Sequence, residues 1–381
     1  MRLHLRKLVI CPVVLCILAC SAREAGAGCS WDKARWLREA FATVVSGAFP
    51  RLAALSYWHE TFPQSDGAIA SLSIHSSPRS LAAFQEGAAN PLFVDESEYF
   101  FSQGGAKVVP LSGRILLAAF PDFGASEDVV SLGRIWAYEE LARRKIAWAY
   151  FSNNWFEGVR FPTEEVKVVS AAGRTPFIRL MMRGTQDGGA DPQHTLQLLL
   201  DGRWDAELAR WAGQARDTRV PLMIEFGTEV NGDWFPWSGR WNGAGTKAGF
   251  GDPSRADGPE RFREGFRRLV TLFRAHGATN VTWVFHVNAT SHPDQSWNRI
   301  SEYYPGDDVV DWLGVSIYGP QHPSESQCAS FRDLLAPAYV ELAALSSTKP
   351  IAVLEWGVSE PSEAPGRQSR RVRPSMAASR R

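Results

Sequence analysis

The sequence lacks an excess of charge of either sign, because 41 lysines and arginines balance 41 aspartates and glutamates. A nucleic-acid partner would need a basic excess, and a solvating tail would show an acidic run, so neither is indicated. Cysteine is also scarce, with five in 381 residues, which excludes a disulfide-rich scaffold. The length allows one large domain or two ordinary ones.

Long hydrophobic runs are scarce as well. The apolar stretch at residues 8–19 follows Arg2, Arg6 and Lys7, and it is too short to cross a membrane as a mature helix. A basic start before a short apolar stretch is typical of an export signal, and we interpret residues 1–27 as one. We therefore expect a secreted or cell-envelope-attached protein without a membrane span.

Two processing sites compete within this segment. Ala25-Gly26-Ala27 is an A-x-A cleavage site, whereas residues 17–20 match a bacterial lipobox in which Cys20 would be lipidated. Only Cys29 and Cys328 remain in both cases. They could form one disulfide, but two cysteines define no framework, and two unpaired side chains are the simpler interpretation.

Tryptophan is what the sequence has in abundance, with fifteen in the chain. A buried indole needs a partner for its N–H group, so a large number of tryptophans is costly to bury completely. Some of them usually line a surface that stacks on flat ligands with polar rims, such as sugars. The alternative for any single tryptophan is core packing, which is equally favoured by the burial tendency of this residue.

Seven short apolar runs follow one another from about residue 113, with helical stretches such as residues 204–216 and 259–275 between them. The runs are continuous rather than alternating, as in strands that are buried on both faces of a parallel sheet. They lie at residues 115–120, 145–151, 176–182, 221–226, 281–287, 309–317 and 351–354. This rhythm predicts an α/β protein with a (β/α)8 TIM barrel.

An open, doubly wound sheet is the rival fold. It would normally carry a glycine-rich phosphate turn after its first strand, whereas Pro121-Asp122-Phe123-Gly124 follows the first strand here. Polar and aromatic residues cluster directly after the predicted strands, where the active site of a barrel lies. They are Asp122, Asn153, Trp155, Arg179, Glu229, His286, Asn288, Tyr318 and Glu355.

Four motifs in order resemble glycoside hydrolase family 26, a family of (β/α)8 enzymes that act on β-mannans and related β-glycans. They lie at residues 225–237 (EFGTEVNGDWFPW), 283–288 (WVFHVN), 303–315 (YYPGDDVVDWLGV) and 349–357 (KPIAVLEWG). The resemblance covers nearly all of residues 113–360. It implies a glycosidase of the mannan endo-1,4-β-mannosidase type, without a cofactor or a catalytic metal.

The resemblance implies that Glu229, after the fourth strand, is the general acid/base and that Glu355, after the seventh, is the nucleophile. The chemistry needs such a pair, because a glycosidic oxygen leaves poorly unless one carboxyl group protonates it. The other carboxylate must be ionised to attack the anomeric carbon. A retaining enzyme of this kind holds its two carboxyl groups about 5–5.5 Å apart.

Residues around this pair have predicted roles as well. Tyr318 would hydrogen-bond the nucleophile Glu355 and fix its orientation. His286 and Asn288 would contact sugar or brace Glu229, with a satisfied polar residue at a strand end as the equal alternative.

Trp234 and Trp237 follow the acid/base and would stack on leaving-group sugars, or else pack in the core. Arg179 and Asp122 would bind sugar hydroxyl groups or pair within the barrel, and a structural role is slightly favoured for Asp122. One position departs from the family pattern: Thr228 precedes the acid/base where the family has histidine and related enzymes have asparagine. A preference for mannose is therefore open.

The eighth strand is missing after residue 360, where an Arg/Ser/Pro/Ala stretch at 361–381 reads as disordered. Residues 29–98 instead resemble the end of a family 26 domain, with an amphipathic helix and then an apolar strand that ends at Trp58. We hypothesise a circularly permuted domain in which this segment supplies strand eight, and the resemblance places Trp58 beneath the reacting sugar. Seven strands alone would leave two open edges.

Two other functions remain as alternatives. A non-catalytic carbohydrate-binding protein on a hydrolase scaffold would explain Thr228, but it would not need both glutamates. A surface Ca²⁺ site at Asp252, Asp257 and Glu260 is weaker, because a loop rich in glycine and aspartate is usually only a loop. The expected partner is a polysaccharide or oligosaccharide, and we expect a monomer.

Overall fold

The computed structural model describes residues 32–95, 107–124, 126–186, 188–325 and 329–360. The predicted export signal, Cys20, Cys29, Cys328 and the stretch 361–381 lie outside the described residues. None of the described helices has the length and apolar character needed to cross a membrane.

The eight barrel strands alternate with helices, and three further short strands lie outside the barrel. The strands are β1 Leu52–Trp58, β2 Thr61–Pro63, β3 Ile69–Ser71, β4 Phe93–Val94, β5 Ile115–Phe120, β6 Trp148–Asn154, β7 Thr175–Met181, β8 Leu222–Phe226, β9 Val281–Asn288, β10 Trp312–Tyr318 and β11 Ile351–Gly357. The helices are α1 Lys33–Val45, α2 Pro78–Ala88, α3 Leu132–Ala142, α4 Thr163–Ala171, α5 Leu196–Leu200, α6 Asp205–Thr218, α7 Asp257–Ala275, α8 Ile300–Tyr303 and α9 Phe331–Leu345.

The sheet closes into a barrel of eight parallel strands. Strands β5 to β11 pair in chain order, and β1 pairs with β11 on one side and with β5 on the other. Leu55 of β1 is opposite Val353 of β11 and Leu117 of β5. The TIM barrel and the supply of its eighth strand by the N-terminal segment are therefore confirmed. A closed barrel leaves no strand edge unpaired, and β1 closes this barrel by pairing with both β11 and β5.

The N-terminal segment also supplies a helix to the barrel wall. Helix α1 begins at Lys33, where Asp32 caps it by accepting a hydrogen bond from the backbone N–H of Arg35. Trp36 of α1 stacks on Trp356 of β11, with ring centroids 6.0 Å apart. The core is thus continuous from the first described helix to the last strand.

The predicted strands agree with the observed ones in existence and order, but two predicted strands begin too early. β6 begins at Trp148 rather than residue 145, and β10 begins at Trp312 rather than residue 309. Val309 and Val310 are buried in a turn that hydrogen-bonds to Gly306. Buried apolar residues in a connecting turn read like the start of a strand, because hydrophobicity reports burial and not backbone conformation.

Two short additions flank the barrel. The hairpin β2–β3 follows Trp58 and therefore lies at the carboxyl ends of the barrel strands. Strand β4 pairs with the amino-terminal end of β5. The hairpin is the addition that matters for the site, because it brings Phe62 beside the cleft described next.

Candidate active site

A cleft of about 360 Å³ opens at the carboxyl ends of the barrel strands. Glu229 and Glu355 both line it, together with Trp58, Arg179 and Tyr318. Two larger hollows lie elsewhere, one of about 510 Å³ at the amino ends of the strands and one of about 850 Å³ beside α9. Neither includes Glu229 or Glu355, and the active sites of such barrels lie at the carboxyl ends, so the smaller cleft is the candidate site.

Glu355 lies in β11, and donors surround its carboxylate. The hydroxyl groups of Tyr318 and Tyr150 donate to it at 3.0 and 3.2 Å, and Nη2 of Arg179 lies 3.5 Å away. Burial raises the pKa of Glu355 to about 7, and the charge of Arg179 opposes that rise. The hydrogen bond from Tyr318 is the one expected for a residue that orients this carboxylate.

Glu229 lies after β8 in a left-handed backbone conformation, with φ of 51°. Such a conformation costs a non-glycine residue about 1–3 kcal/mol and persists where the surrounding structure enforces it, often at active sites. Gly227, two residues earlier, has φ of 75°, and a Cβ there would lie 2.2 Å from the ring of Phe262. The indole N–H of Trp234 donates to Glu229 at 2.7 Å. This turn therefore fixes where the Glu229 carboxyl group lies.

Arg179 lies in β7 at the centre of the site. Besides Glu355, it contacts Glu127 at 2.9 Å and Glu225 at 3.5 Å, and its guanidinium lies 5.0 Å from the ring centroid of Trp58. All three carboxylates compete for one cation that is 4% exposed. Arg179 therefore pairs within the barrel, which was one of its two predicted roles, while its edge also lines the cleft.

A fully buried carboxylate, Glu225, lies beneath the cleft, and the sequence did not single it out. It accepts hydrogen bonds from Tyr150 at 2.6 Å, from Nδ1 of His286 at 2.8 Å and from the hydroxyl group of Thr228. Burial opposes its charge, but the pKa of Glu225 is held low, first by the neighbouring His286. The available signal was a charged residue inside the otherwise apolar strand β8.

His286 is wholly buried, and both ring nitrogens have partners. Nδ1 bonds to Glu225, and Nε2 lies 2.9 Å from the hydroxyl group of Ser316. Burial opposes a charged ring, yet the carboxylate of Glu225 raises the pKa of His286 above its usual range. The structure therefore gives His286 a role beneath the site, where it braces Glu225, and not the predicted contact with sugar or with Glu229.

Thr228 also faces away from the cleft. It is 1% exposed and its hydroxyl group donates to Glu225. The position before Glu229 therefore belongs to the buried network and not to the cleft lining.

The other predicted site residues divide between the cleft and the packing. Trp58 lines the cleft, although one face of its ring stacks on Phe120 at 4.2 Å. Asp122 has φ of 54° and accepts a bond from the N–H of Gly124, which stabilises a turn. Asn288 bonds to Thr290 and, through its backbone N–H, to Asn231.

The stacking prediction for Trp237 is wrong. Its side chain is wholly buried, stacks on Phe235 at 4.6 Å and donates to the carbonyl oxygen of Thr228. Trp237 is therefore a packing residue that supports the Glu229 turn. Trp234 is partly exposed, but its indole N–H is committed to Glu229.

Glu225, His286 and Glu355 offer donor atoms within 4.8 Å of one another, a spacing that could hold a metal ion. Arg179 contacts both carboxylates at 3.5 Å, and both nitrogens of His286 are bonded. The guanidinium group of Arg179 already supplies the positive charge that a metal ion would bring. We therefore interpret Glu225, His286 and Glu355 as parts of a hydrogen-bond network and not as metal ligands.

The predicted alternative of a surface Ca²⁺ site involves residues of one loop and the start of α7. Asp257 and Glu260 accept backbone N–H groups of Gly249 and Asp252. These contacts hold the loop against the helix, which is the structural role that the sequence favoured.

Residues 194–351 match the model of glycosyl hydrolase family 26. Over 164 residues the chain is 34% identical to endoglucanase H of Acetivibrio thermocellus, covering 42% of this chain and 16% of that protein. It is 26% identical over 156 residues to the β-1,3-xylanase TXYA of a Vibrio species, covering 40% and 28%. It is 30% identical over 122 residues to a mannan endo-1,4-β-mannosidase of Thermothelomyces thermophilus, covering 31% and 19%.

Among solved structures, the catalytic domain of a Bacillus sp. JAMB-750 endo-β-1,4-mannanase is 13% identical, with a TM-score of 0.45, covering 86% of this chain and 74% of that one. A β-mannanase of Bacteroides ovatus is 14% identical, with a TM-score of 0.41, covering 84% and 77%. The chain spans less than a third of each of these three curated relatives. The segment that matches the family model contains Glu229 and ends at the first residue of the strand that carries Glu355.

Proposed function

We propose that this protein is a retaining glycoside hydrolase that cleaves a β-linked polysaccharide such as β-mannan. The observation that carries the proposal is the placement of Glu229 and Glu355 in one cleft, each held by a different set of donors. The names of the relatives, an endoglucanase, a xylanase and a mannosidase, support a β-glycan without selecting one. Because Thr228 faces away from the cleft, its hydroxyl group does not favour one sugar over another.

The reaction proceeds by double displacement. An ionised Glu355 attacks the anomeric carbon while the protonated Glu229 gives its proton to the glycosidic oxygen, so the old C–O bond breaks as the glycosyl ester forms. Glu229, now ionised, takes a proton from water, whose oxygen attacks the anomeric carbon and releases Glu355. Arg179 and the two tyrosine hydroxyl groups stabilise Glu355 in its ionised form, both before attack and when it leaves.

The proposal is tested with purified protein on mannan, mixed-linkage glucan and xylan. Products are analysed by size, and the anomeric proton of the first product is followed by NMR. We expect cleavage with retained configuration, and a 2-fluoro glycoside should label the peptide that contains Glu355. Inverted products would rule out the double displacement.

A carbohydrate-binding protein is the second candidate, because Thr228 departs from the histidine or asparagine that precedes the acid/base in related enzymes. Binding of glycan without labelling or turnover would favour this candidate over the enzyme.

We further propose that the protein is exported, by cleavage after Ala27 or by lipidation of Cys20. Metabolic labelling with palmitate, followed by N-terminal sequencing of the mature protein, separates these two routes. Recovery of an unprocessed and unlabelled chain from the cytoplasm would contradict export.

A further inference from the structure

Four carboxyl groups of the described residues line the cleft, and the proposed chemistry uses two of them. The others are Glu60, just after β1, and Glu127, which precedes α3. Among the described lining residues the cation is Arg179, and it already pairs with Glu127, Glu225 and Glu355. The cleft is therefore rich in hydrogen-bond acceptors, and its one positive charge is committed.

Glu60 differs from Glu127 in having no ion pair with a described cation, and one of its two oxygens lacks a described donor. Its Oε2 accepts the indole N–H of Trp58 at 2.7 Å, and no described residue donates to Oε1. Burial raises the pKa of Glu60 to about 7, with smaller contributions from Glu127 and Asp122, while Trp58 and Arg179 oppose the rise. Glu127 differs, because its Oε2 pairs with the cation Arg179 at 2.9 Å and accepts from Ser152 at 2.6 Å, whereas no described cation forms an ion pair with Glu60.

An acceptor of this kind distinguishes ligands by what they donate. An ionised carboxylate only accepts hydrogen bonds, and bonds between a charged and a neutral group are about twice as strong as those between neutral groups. A sugar hydroxyl group satisfies Oε1, whereas a sugar carboxylate or sulfate would place a second negative charge beside Glu60 and Glu127. At low local dielectric that repulsion is much larger than in water.

From this arrangement we propose that Glu60 is a specificity-determining residue, which binds a hydroxyl group of the sugar in the cleft and restricts the substrate to neutral β-glycans. The inference rests on the proposed function, because it takes the cleft to be the sugar-binding site. The indole of Trp58 holds Glu60 in place, so that one side chain at the end of β1 positions the acceptor for the ligand.

The test is a binding measurement that turnover does not disturb. Glu229→Gln removes the acid/base, and calorimetry on this variant compares two matched pairs of β-1,4-linked tetramers. The pairs are mannotetraose with tetramannuronate, and cellotetraose with its uronate counterpart. The two members of each pair differ only at carbon six. We expect the preferred neutral tetramer to bind at least about tenfold more tightly than its uronate at pH 8.

Adding Glu60→Gln should weaken binding of the neutral tetramer by about tenfold and should reduce the discrimination against the uronate. Glu157→Gln is the matched control, because that carboxylate is exposed, with 85% of its side chain accessible, and should change neither affinity. Circular dichroism and Tm establish that each variant is folded. An affinity for both tetramers that stays within twofold in the Glu60→Gln variant would overturn the proposal.

The outcomes separate the two proposals. If the wild-type protein cleaves a neutral glycan but Glu60→Gln changes nothing, the proposed function stands and the role of Glu60 is wrong. If the wild type neither cleaves nor binds a neutral glycan, the proposed function and the role of Glu60 are both wrong. Equal affinity for a neutral tetramer and its uronate would also overturn the role of Glu60, whatever the activity.

Discussion

Glu225 and His286 form a buried pair 2.8 Å apart beneath the cleft, and neither side chain is exposed. The carboxylate raises the pKa of the imidazole above its usual range, although burial alone would lower it. Tyr150 connects this pair to Glu355, because its hydroxyl group lies within reach of both carboxylates. The surroundings of the proposed nucleophile thus include a buried carboxylate–imidazole pair that is not part of the cleft lining.

Replacing Glu225 with Gln should cost about 3–5 kcal/mol of stability at pH 6, because His286 loses its counter-ion. The cost should be smaller at pH 8. In the variant, burial holds the folded-state pKa of His286 below its unfolded value, so at pH 6 the folded protein must release a proton that the unfolded chain keeps. Urea denaturation at the two pH values measures this. An equal loss of stability at pH 6 and at pH 8 would show that His286 is neutral in the wild type.

Replacing Tyr318 with Phe removes a hydrogen bond that favours the ionised form of Glu355. The pKa of this carboxyl group, already raised to about 7, should rise further, so the acidic limb of kcat/KM should move to higher pH. For a shift of about one unit, the loss at pH 6 exceeds the loss at pH 9 about tenfold. Tyr304→Phe, which bonds to Asp307 away from the cleft, is the control. If the acidic limb of kcat/KM stays at the same pH in Tyr318→Phe, Tyr318 does not favour the ionised form of Glu355.

Glu355 should also destabilise the fold at alkaline pH. Its folded pKa lies above its unfolded value, so the folded state binds more protons between about pH 4.5 and 7, and stability falls as the pH rises through that window. Replacing Glu355 with Gln should remove up to about 3 kcal/mol of this fall. Denaturation midpoints of wild type and variant at pH 5 and 8 give the difference. Parallel pH profiles would show that Glu355 ionises freely in the folded protein.

The N-terminal segment should be indispensable. Deleting residues 29–98 removes β1, which pairs with β5 and β11, and should leave an insoluble or inactive remainder. A soluble, active remainder would contradict the role of β1.

The deletion has a counterpart that keeps β1: a chain in which the N-terminal segment is moved behind residue 360. The Nζ of Lys33 donates to the hydroxyl group of Ser76 at 2.8 Å, and that hydroxyl group donates to Glu360 at 2.9 Å, so the two described ends meet. A chain that joins residue 360 to residue 32 by a short linker and opens between residues 95 and 107 should fold with a similar Tm. An unfolded product would contradict the idea that the domain is a permuted form of the usual barrel order.

The strand runs and the motif glutamates could be predicted because each depends on neighbours in the sequence. A strand buried on both faces is apolar throughout, as in β5, and a polar residue near the carboxyl end of a barrel strand reaches the cleft, as with Glu229 and Glu355. The closing strand β1 was predictable for the same reason, combined with the need to leave no open edge.

The partners of Glu355 could not be predicted in the same way. Tyr150, Arg179 and Glu225 lie in three different strands, and the barrel register decides which of their side chains meet. Trp234 and Trp237 are three residues apart in one loop, yet one holds Glu229 and the other is wholly buried. No sequence period exists in an irregular loop, so only the folded chain distinguishes them.

The place of β1 in the barrel also sets the order in which the protein can assemble. Leu52 pairs with Ile351, roughly 300 positions later in the chain, so closure is among the most non-local events available to it. During synthesis β1 can find β5 early, but its other edge stays open until β11 emerges. Folding of this barrel should therefore be slow and should finish only after β11 has been synthesised, and a holdase that shields β1 would limit its aggregation.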